Sequence, residues 1–373
     1  MAYLGQLNSY ENTEPNKIMV TDRILQTNPL KIATYLRLGT DIGKFAFVNT
    51  DGKEYRWLED TYVSETDTLG VAITTGYATS FTPTTLTFYQ PGDILLVGTE
   101  KMWVSAVASG IPTVTRGWGS STTATHLILA SVQVIGRARI DGDTADDSPM
   151  VEVTSSTNYT QIFQRSIEVA RTKQKMAQYG ISDPMGREID KKMDELMILL
   201  NKLPFYGERY IGTNAALART AGGLKTFITD NTSENSSASV TRALIDGLLS
   251  DIYADGGDTD LIICGAWQQR AINDMYEGFV TTDRVESVGG IKIQQLMNPI
   301  TGSMIDLLVD RSCPVDDMFF LQSSEVAFYP FDPFFFEDLA KVGDAEVGEV
   351  VGEYGFVCRS DKWHGYLGGL ASS

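Results

Sequence analysis

The clearest helix signal in the chain is the stretch DPMGREIDKKMDELMILLNKLP, which spans residues 183–204. Asp183 can cap the first turn, and Pro184 stands at the first helical position, where a backbone N–H is not needed. Apolar residues recur at steps of three and four, and they are Met185, Ile189, Met193, Leu196, Leu200 and Leu203. Charged residues fill much of the remaining circumference, and Pro204 is expected to end the helix. The stretch therefore predicts a long helix that packs along one side against a sheet or a neighbouring subunit.

Downstream of this helix, the sequence predicts an α/β unit over roughly residues 222–312. Its predicted elements are a helix signalled by Val240, Leu244, Leu248 and Ile252, a buried strand at 261–264, a short helix at about 267–276, and strands at about 291–296 and 304–309. Residues 318–373 return to strand patterns, with segments at 318–321, 325–329 and 354–359. The final segment is therefore expected to pair with earlier elements of the chain.

Upstream of the helix, residues 46–140 are rich in Thr, Val, Ile, Tyr and Gly, with short alternating runs and turn signals. This pattern is typical of antiparallel strands. The clearest strands are predicted at 92–97, 102–107 and 112–117, which would form a small meander or barrel. Residues 1–45 are interpreted as an extended arm, because Pro15 and Pro29 restrict any long helix. Residues 141–183 are polar and mixed, and they are interpreted as a long excursion or a partner-facing segment.

The composition excludes several classes of protein. The 373 residues are 43% hydrophobic and 21% charged, which is ordinary for a folded chain and argues against general disorder. No apolar run approaches the roughly 18 residues that span a bilayer, and no secretory signal is evident at the start, so a cytoplasmic protein is expected. The net charge of −18 repels polyanions, which argues against bulk binding of nucleic acid. Three widely separated cysteines, Cys264, Cys313 and Cys358, are expected to be buried free thiols.

Little in the sequence points to catalysis or to a cofactor. The chain has two histidines, His126 and His364, and neither lies beside a recognisable nucleophile or ligand spacing, so structural roles are favoured. One acidic run resembles a calcium loop, and it consists of Asp141, Asp143, Asp146, Asp147 and Glu152. Because Ala145 occupies a ligand position in that run, a solvated loop is favoured over a cation site. No catalytic residue, cofactor-binding residue or metal ligand is predicted.

Two segments are candidates for contact with other protein subunits. The locally basic stretch contains Arg165, Arg171, Lys173 and Lys175 in an otherwise acidic chain, and its cations are expected to meet carboxylates of a neighbouring copy. The second segment is the aromatic cluster at 328–336, which contains five phenylalanines and a tyrosine. Such a cluster can be either core or an interface anchor, and the sequence favours neither.

The order of these elements resembles the major capsid proteins of tailed bacteriophages, which have the Hong Kong 97-type fold. More specific segments resemble the major head protein family that includes phage SU10. These segments are NYTQIF at 158–163, IEV at 167–169, Gln174, Tyr179-Gly180, RTAGGL at 219–224, YGF at 354–356, His364-Gly365 and GGL at 368–370. The resemblance covers about 150–370 well and the first 45 residues loosely.

The resemblance implies an α+β fold with the domain organisation of that family. The implied parts are an N-terminal arm at 1–45, an extended loop at 46–165 with a β-rich insert at about 60–135, a peripheral domain at 166–221 and 313–373 with its spine helix at 183–204, and an axial domain at 222–312.

The resemblance also implies a function. A chain of this family is expected to be a non-enzymatic subunit that self-assembles as hexamers and pentamers into an icosahedral head, inside the host cytoplasm. The head would enclose double-stranded DNA without sequence-specific binding, and its partners would be a portal and a separate scaffolding protein, with no membrane and no cofactor. Three alternatives stay open: an encapsulin-like shell protein, a β-rich adhesive or tail structural protein, and a metal-dependent hydrolase that uses the acidic run.

Overall fold

The structure is a computed structural model that describes residues 32–39, 53–85, 89–139, 141–142, 151–176, 181, 183–212, 218–275, 280–281, 287–288, 291–292, 294–341 and 343–372. The chain divides into two compact units. One is Leu58–Ser155, and the other combines Met1–Trp57 with Ser156–Ser373. Among the described residues, no helix is both long and apolar enough to cross a lipid bilayer. Most of the expected N-terminal arm lies outside the described residues.

The described elements are numbered in chain order. The helices are α1 Ala33–Leu38, α2 Arg171–Lys175, α3 Pro184–Tyr206, α4 Leu224–Phe227, α5 Arg242–Ala254 and α6 Ala266–Met275. The strands are β1 Glu54–Glu59, β2 Thr66–Thr68, β3 Asp93–Val97, β4 Glu100–Ala108, β5 Ile111–Thr115, β6 Ser131–Arg137, β7 Thr154–Tyr159, β8 Gln161–Ala170, β9 Thr232–Ala238, β10 Leu261–Cys264, β11 Val280–Thr281, β12 Ser287–Val288, β13 Ile291–Lys292, β14 Gln294–Met297, β15 Met304–Val309, β16 Met318–Leu321, β17 Val326–Leu339, β18 Ala345–Cys358 and β19 Gly365–Leu370.

The unit Leu58–Ser155, called the insert unit below, is a five-stranded antiparallel sheet with the order β2-β6-β3-β4-β5. Its core follows the two-residue period of a strand, because alternate residues point to one face. Leu95 and Val97 of β3 are buried together with Met102 and Val104 of β4. The strands predicted at 92–97, 102–107 and 112–117 are confirmed as β3, β4 and β5.

The second unit contains a seven-stranded mixed sheet with the order β11-β14-β15-β10-β16-β19-β9. Strand β10 lies at its centre, parallel to β15 and antiparallel to β16. Every residue of β10 and β16 is buried, and alternate residues serve opposite faces. Leu261 and Ile263 pack in the cluster that includes α3, whereas Ile262 and Cys264 pack against α5 and α6. The predicted strand at 261–264 and the helices that flank it are confirmed.

Two features of this sheet were not predicted from the sequence. The polar tract 229–239 contains strand β9, which the sequence did not predict because TSENSSA has no apolar alternation and Thr232 is its one strand-favouring residue. Parallel pairing with β19 at the edge of the sheet holds it instead. Strands β16 and β19 also belong to the sheet of β10, although they fall within 313–373. The two regions assigned to different domains therefore share one sheet.

A three-stranded antiparallel sheet with the order β17-β18-β8 is covered by α3. Strand β8 runs through the segment interpreted as an excursion, and it buries Phe163, Ile167 and Val169 in the same cluster as Leu196 and Leu200 of α3. The sequence did not predict a strand over these residues. The strand signal in the sequence was weak because polar side chains, which point away from the helix, separate the single apolar residues of β8.

Helix α3 begins as the sequence predicts, since the side chain of Asp183 accepts a hydrogen bond from the Met185 backbone N–H at 3.0 Å. The prediction that Pro204 ends it is wrong by two residues, because the helix continues to Tyr206. Pro204 removes one backbone hydrogen bond, but Leu203, Pro204 and Phe205 are all buried in the last turn. Packing of this turn offsets the lost bond.

A tyrosine fixes β1 to β18 in the core. The Tyr55 hydroxyl donates to the carbonyl of Phe356 at 2.8 Å and accepts from the Phe356 N–H at 2.7 Å. The ring lies against Gly355, where a Cβ atom would overlap the Tyr55 ring and hydroxyl. Tyr55 is 1% exposed, and its hydroxyl both donates and accepts a hydrogen bond, so the side chain has no room to move aside.

Gly355→Ala is therefore expected to lower the free energy of unfolding by about 1 to 3 kcal/mol, as overpacking of a core does. The matched control is Gly247→Ala in the exposed middle of α5, where a Cβ atom meets nothing within 4 Å. That change should raise stability by about 0.5 to 1 kcal/mol, because alanine restricts the unfolded chain more than glycine does. Urea unfolding of the full-length chain measures both. Equal effects of the two substitutions would contradict the packing argument.

Candidate functional site

His126 lies in a network around a buried carboxylate of the insert unit. Its Nε2 is 2.9 Å from Oε2 of Glu100, whose side chain is completely buried. Arg116 donates to both carboxylate oxygens at 2.6 Å, and the Ala124 N–H donates at 2.9 Å. Burial tends to raise the pKa of Glu100, but hydrogen bonds from Arg116, Ala124 and His126 lower that pKa to about 2. The network holds the segment 116–126 against the start of β4.

His364 lies in the connection between β18 and β19. The ring is completely buried, with Nε2 donating to the Arg359 carbonyl at 2.9 Å and Nδ1 accepting from the Gln322 N–H at 3.3 Å. Burial lowers the pKa of His364 to about 4, so the ring is neutral at physiological pH. Both histidines thus have structural hydrogen bonds, as the sequence favoured.

The remaining candidate reactive groups are dispersed or buried. Asp141 and Glu152 are the members of the acidic run that the structure describes, and Asp143, Asp146 and Asp147 lie outside the described residues. Within the described part of the chain, no group of three or more His, Cys, Asp or Glu side chains is arranged to hold a metal ion. The three cysteines are buried free thiols, as predicted. Burial raises the pKa of Cys264 to about 12, which keeps its thiol protonated.

A buried carboxylate, Asp310, anchors the described piece of the N-terminal region. Its Oδ2 accepts from the Thr34 N–H at 2.8 Å, from the Thr34 hydroxyl at 2.7 Å and from Nδ2 of Asn201 at 2.9 Å. Asn201 in turn accepts from the Tyr35 N–H at 2.8 Å. Arg37, which lies on helix α1 with Thr34 and Tyr35, forms an ion pair with Asp306 at 2.8 Å. Helix α1 is therefore tied both to α3 and to strand β15 and the residues after it.

Two cavities lie between α3 and β8, and together they are called the α3–β8 groove below. One part has a volume of about 490 Å³ and is lined by residues that include Ile162, Leu199 and Tyr206. The other part, of about 250 Å³, is lined by charged side chains of both signs, among them Glu168 and Arg187. Apolar side chains at one end and charges at the other suit a protein segment better than a small ligand. The groove is a candidate subunit contact.

The aromatic cluster at 328–336 divides between core and surface. Phe328 is 1% exposed, and Phe334 and Phe336 lie over Gly352 and Gly348 of the neighbouring strand. Phe331 and Phe335 are 46% and 40% exposed. The core alternative therefore holds for Phe328, and the interface alternative stays a prediction for Phe331 and Phe335, because strand alternation and two register shifts after Pro330 direct these side chains to different faces.

The basic stretch is only partly available to a partner. Arg171 is engaged in its own chain, where Nε and Nη2 donate to the Asp344 carboxylate at 2.5 and 3.2 Å. Arg165 is exposed on β8, and Lys173 and Lys175 are exposed on α2. The expectation that the cations of this stretch meet carboxylates of a neighbouring copy stays a prediction.

The insert unit carries an exposed apolar patch. Leu127, Ile128 and Leu129 are 80%, 57% and 69% exposed, and the segment runs antiparallel to one that contains Val71, 55% exposed. The Ile73 N–H donates to the His126 carbonyl at 2.8 Å, which fixes the two segments side by side. Contiguous exposed aliphatic side chains are typical of protein contact sites. The sequence did not predict this patch.

Comparison with known proteins places these surfaces in context. Residues 6–371 match the family model described as SU10 major capsid protein. A search of curated proteins found no match. The cyanophage A-1(L) capsid has a TM-score of 0.56 at 12% identity, with 98% of this chain and 100% of that chain covered.

Two further capsids have similar TM-scores, identities and coverages. The capsid of the native GTA particle has a TM-score of 0.53 at 9% identity, covering 98% and 99% of the two chains. The capsid of Myoviridae phage XM1 has a TM-score of 0.50 at 9% identity, covering 99% and 100%. At such identities the likeness concerns the fold. It confirms the expected α+β, Hong Kong 97-type capsid fold.

Proposed function

Because the chain belongs to the SU10 major capsid protein family, we propose that its copies assemble as hexamers and pentamers into the icosahedral head of a tailed phage. The observation that carries the proposal is the family match over residues 6–371, which spans both compact units. A capsid protein of this kind is a structural component of the virion. The assembly of many copies multiplies contacts that are individually modest, so each surface can be small while the closed shell is durable.

The proposed domain organisation follows the family. The N-terminal arm is 1–45, and the extended loop is 46–165 with its insert at about 60–135, a range that falls inside the insert unit. The peripheral domain is 166–221 with 313–373, and α3 is its spine helix. The axial domain is 222–312, to which β16 and β19 contribute two strands of the shared sheet.

The proposed partners are a portal, a separate scaffolding protein and the double-stranded DNA genome, with assembly in the host cytoplasm. The net charge of −18 agrees with a container that encloses DNA without binding it tightly, because a chain with a large negative net charge repels a polyanion. We further propose that the protein has no enzymatic activity. The histidines and cysteines described above have structural positions, which supports that proposal.

Electron microscopy of the purified full-length protein, with and without a co-expressed scaffolding protein, tests the proposal. Closed shells, or rings of five and six subunits, are the expected result. A stable monomer under all conditions would contradict it and would favour the adhesive alternative. Analysis of the particle contents separates the two kinds of shell, since a head from infected cells holds nuclease-protected double-stranded DNA and an encapsulin-like shell holds a cargo enzyme.

A further inference from the structure

The sheet β17-β18-β8 has a second face, opposite the face that α3 covers. Val350 is buried in the cluster with Leu200 of α3, so its neighbours Glu349 and Val351 point the other way. The paired residues of the adjacent strands share that direction. The resulting surface, called the acidic face below, contains Ile162, Asp332, Phe335, Glu337, Glu349 and Glu353.

The acidic face contains two like-charge pairs. Glu337 stands directly opposite Glu349 across β17 and β18, and Asp332 stands opposite Glu353. Carboxylates in directly opposed positions of an antiparallel pair repel each other and destabilise the sheet. Glu353 is compensated by Arg219 of the same chain. Within the described residues, the side-chain amide of Gln164 donates a hydrogen bond to Glu349, but no cation forms an ion pair with Asp332, Glu337 or Glu349, so no positive charge offsets the repulsion in the single chain.

Apolar side chains between these carboxylates indicate what kind of partner would relieve the repulsion. Ile162 is 52% exposed and Phe335 is 40% exposed. A free cation would neutralise the charges but would leave these side chains in water. A protein surface that carries both cations and apolar side chains matches the whole face. The acidic face also adjoins the α3–β8 groove, which Ile162 lines as well.

We propose that the acidic face is a contact with a second copy of this chain, which supplies cations to Glu337 and Glu349. This inference rests on the proposed function, since it specifies one contact within the shell. The chain carries suitable cations: Arg165, Arg187 and Lys191 are exposed on β8 and on α3, the helix that covers the opposite face. Donor and acceptor surfaces therefore lie on different sides of one subunit. Such a contact is heterologous, and heterologous contacts build rings and closed shells.

The test uses the variant Glu337→Gln with Glu349→Gln in the full-length chain. Glutamine keeps the size and polarity of glutamate but removes the charge. The unassembled variant should unfold about 1 to 3 °C higher than the unsubstituted chain, because the repulsion is gone. Assembly should instead require about a tenfold higher protein concentration, and the salt sensitivity of assembly should fall. A more stable subunit that assembles less readily is an outcome that an ordinary solvated surface would not produce.

The control variant is Asp251→Asn with Asp274→Asn, which removes two exposed carboxylates from α5 and α6. It changes the net charge by the same amount and should leave the concentration for assembly within about twofold, since both carboxylates lie outside the acidic face and exposed charges contribute little by themselves. Equal effects of the two double variants would overturn the inference, because net charge alone would then explain the result.

Neutralising the cations identifies the partner. Arg165→Gln with Arg187→Gln and Lys191→Gln should raise the concentration for assembly as the carboxylate variant does. Combining the two sets should cost little more than either alone, because both remove the same contact. Fully additive losses would overturn the assignment to a second copy. The assignment to a second copy would also be overturned if the carboxylate variant assembled normally but no longer bound a different protein.

The inference and the proposed function fail in different ways. If the unsubstituted chain forms no shell or ring, the proposed function fails. If the unsubstituted chain assembles and the carboxylate variant assembles equally well, the inference alone is wrong.

Discussion

Glu100→Gln is expected to unfold the insert unit while the rest of the chain keeps its structure. The substitution leaves the guanidinium of Arg116, 6% exposed, without its buried counter-charge. Removing one partner of a buried ion pair typically costs about 3 to 5 kcal/mol. The five donors that meet on Glu100 come from Arg116, Gly117, Ala124 and His126, so the whole segment 116–126 loses its anchor.

Hydrogen exchange of the full-length chain, read by mass spectrometry, measures this effect. Peptides from 58–155 should lose protection, and peptides from α3 and β10 should not. Glu65→Gln is the matched control, because Glu65 is an exposed glutamate of the same unit. If Glu100→Gln leaves β4 and β5 as protected as Glu65→Gln does, the network does not hold the unit together.

The same carboxylate sets the response of the insert unit to acid. Its pKa is lowered from 4.5 to about 2 in the folded chain, because hydrogen bonds from Arg116, Ala124 and His126 outweigh the effect of burial. The unfolded chain therefore binds the proton more tightly, and the stabilisation is complete above about pH 4.5. It is lost as the pH falls towards 2. The stacked pair Trp103 and Trp118 reports the transition by fluorescence, and the Glu100→Gln variant should lack this part of the pH dependence.

Local periodicity made much of this fold predictable. Helix α3, strand β10 and the strands β3 to β5 each carry their own apolar pattern, so a short window of sequence contains the necessary information. Strand β9 was missed because its partner, β19, lies more than a hundred residues away and its own residues are polar. The end of α3 was misjudged because burial of the last turn, which is a tertiary effect, overrides the local effect of Pro204.

The surfaces were less predictable than the elements. The sequence identified the aromatic cluster and the basic stretch, but the exposed members of the first depend on register shifts between Pro330 and Phe335. The acidic face arises from pairing alone, since Glu337 and Glu349 are ordinary surface residues until β17 and β18 bring them together. The Glu100 and Asp310 networks were missed for the same reason. Their members lie 16 to 26 residues apart in the first case and up to 276 in the second.

Asp310→Ala is expected to release helix α1 from the body of the chain. The carboxylate accepts four hydrogen bonds from outside its own residue, two from Thr34, one from Asn201 and one from the Ser312 N–H. Thr34 and Asn201 are completely buried, so the N–H and hydroxyl of Thr34 would be left without partners and without water, and Nδ2 of Asn201 would keep only its hydrogen bond to the Ser312 hydroxyl. Each unsatisfied buried group costs about 1 to 3 kcal/mol, and the total expected loss is about 3 to 5 kcal/mol.

Release of α1 and general destabilisation can be separated in one measurement. Hydrogen exchange of residues 33–38 should rise to the level of an unprotected peptide in Asp310→Ala, while β10 and β16 exchange at a rate set by global unfolding. Asp310→Asn should have a smaller effect, because the amide oxygen still accepts from Thr34, whereas Asp316→Asn, at an exposed site nearby, should have none. Protection of 33–38 that persists in Asp310→Ala would mean that Arg37 and the apolar contacts of Ala33 and Leu38 hold the helix by themselves.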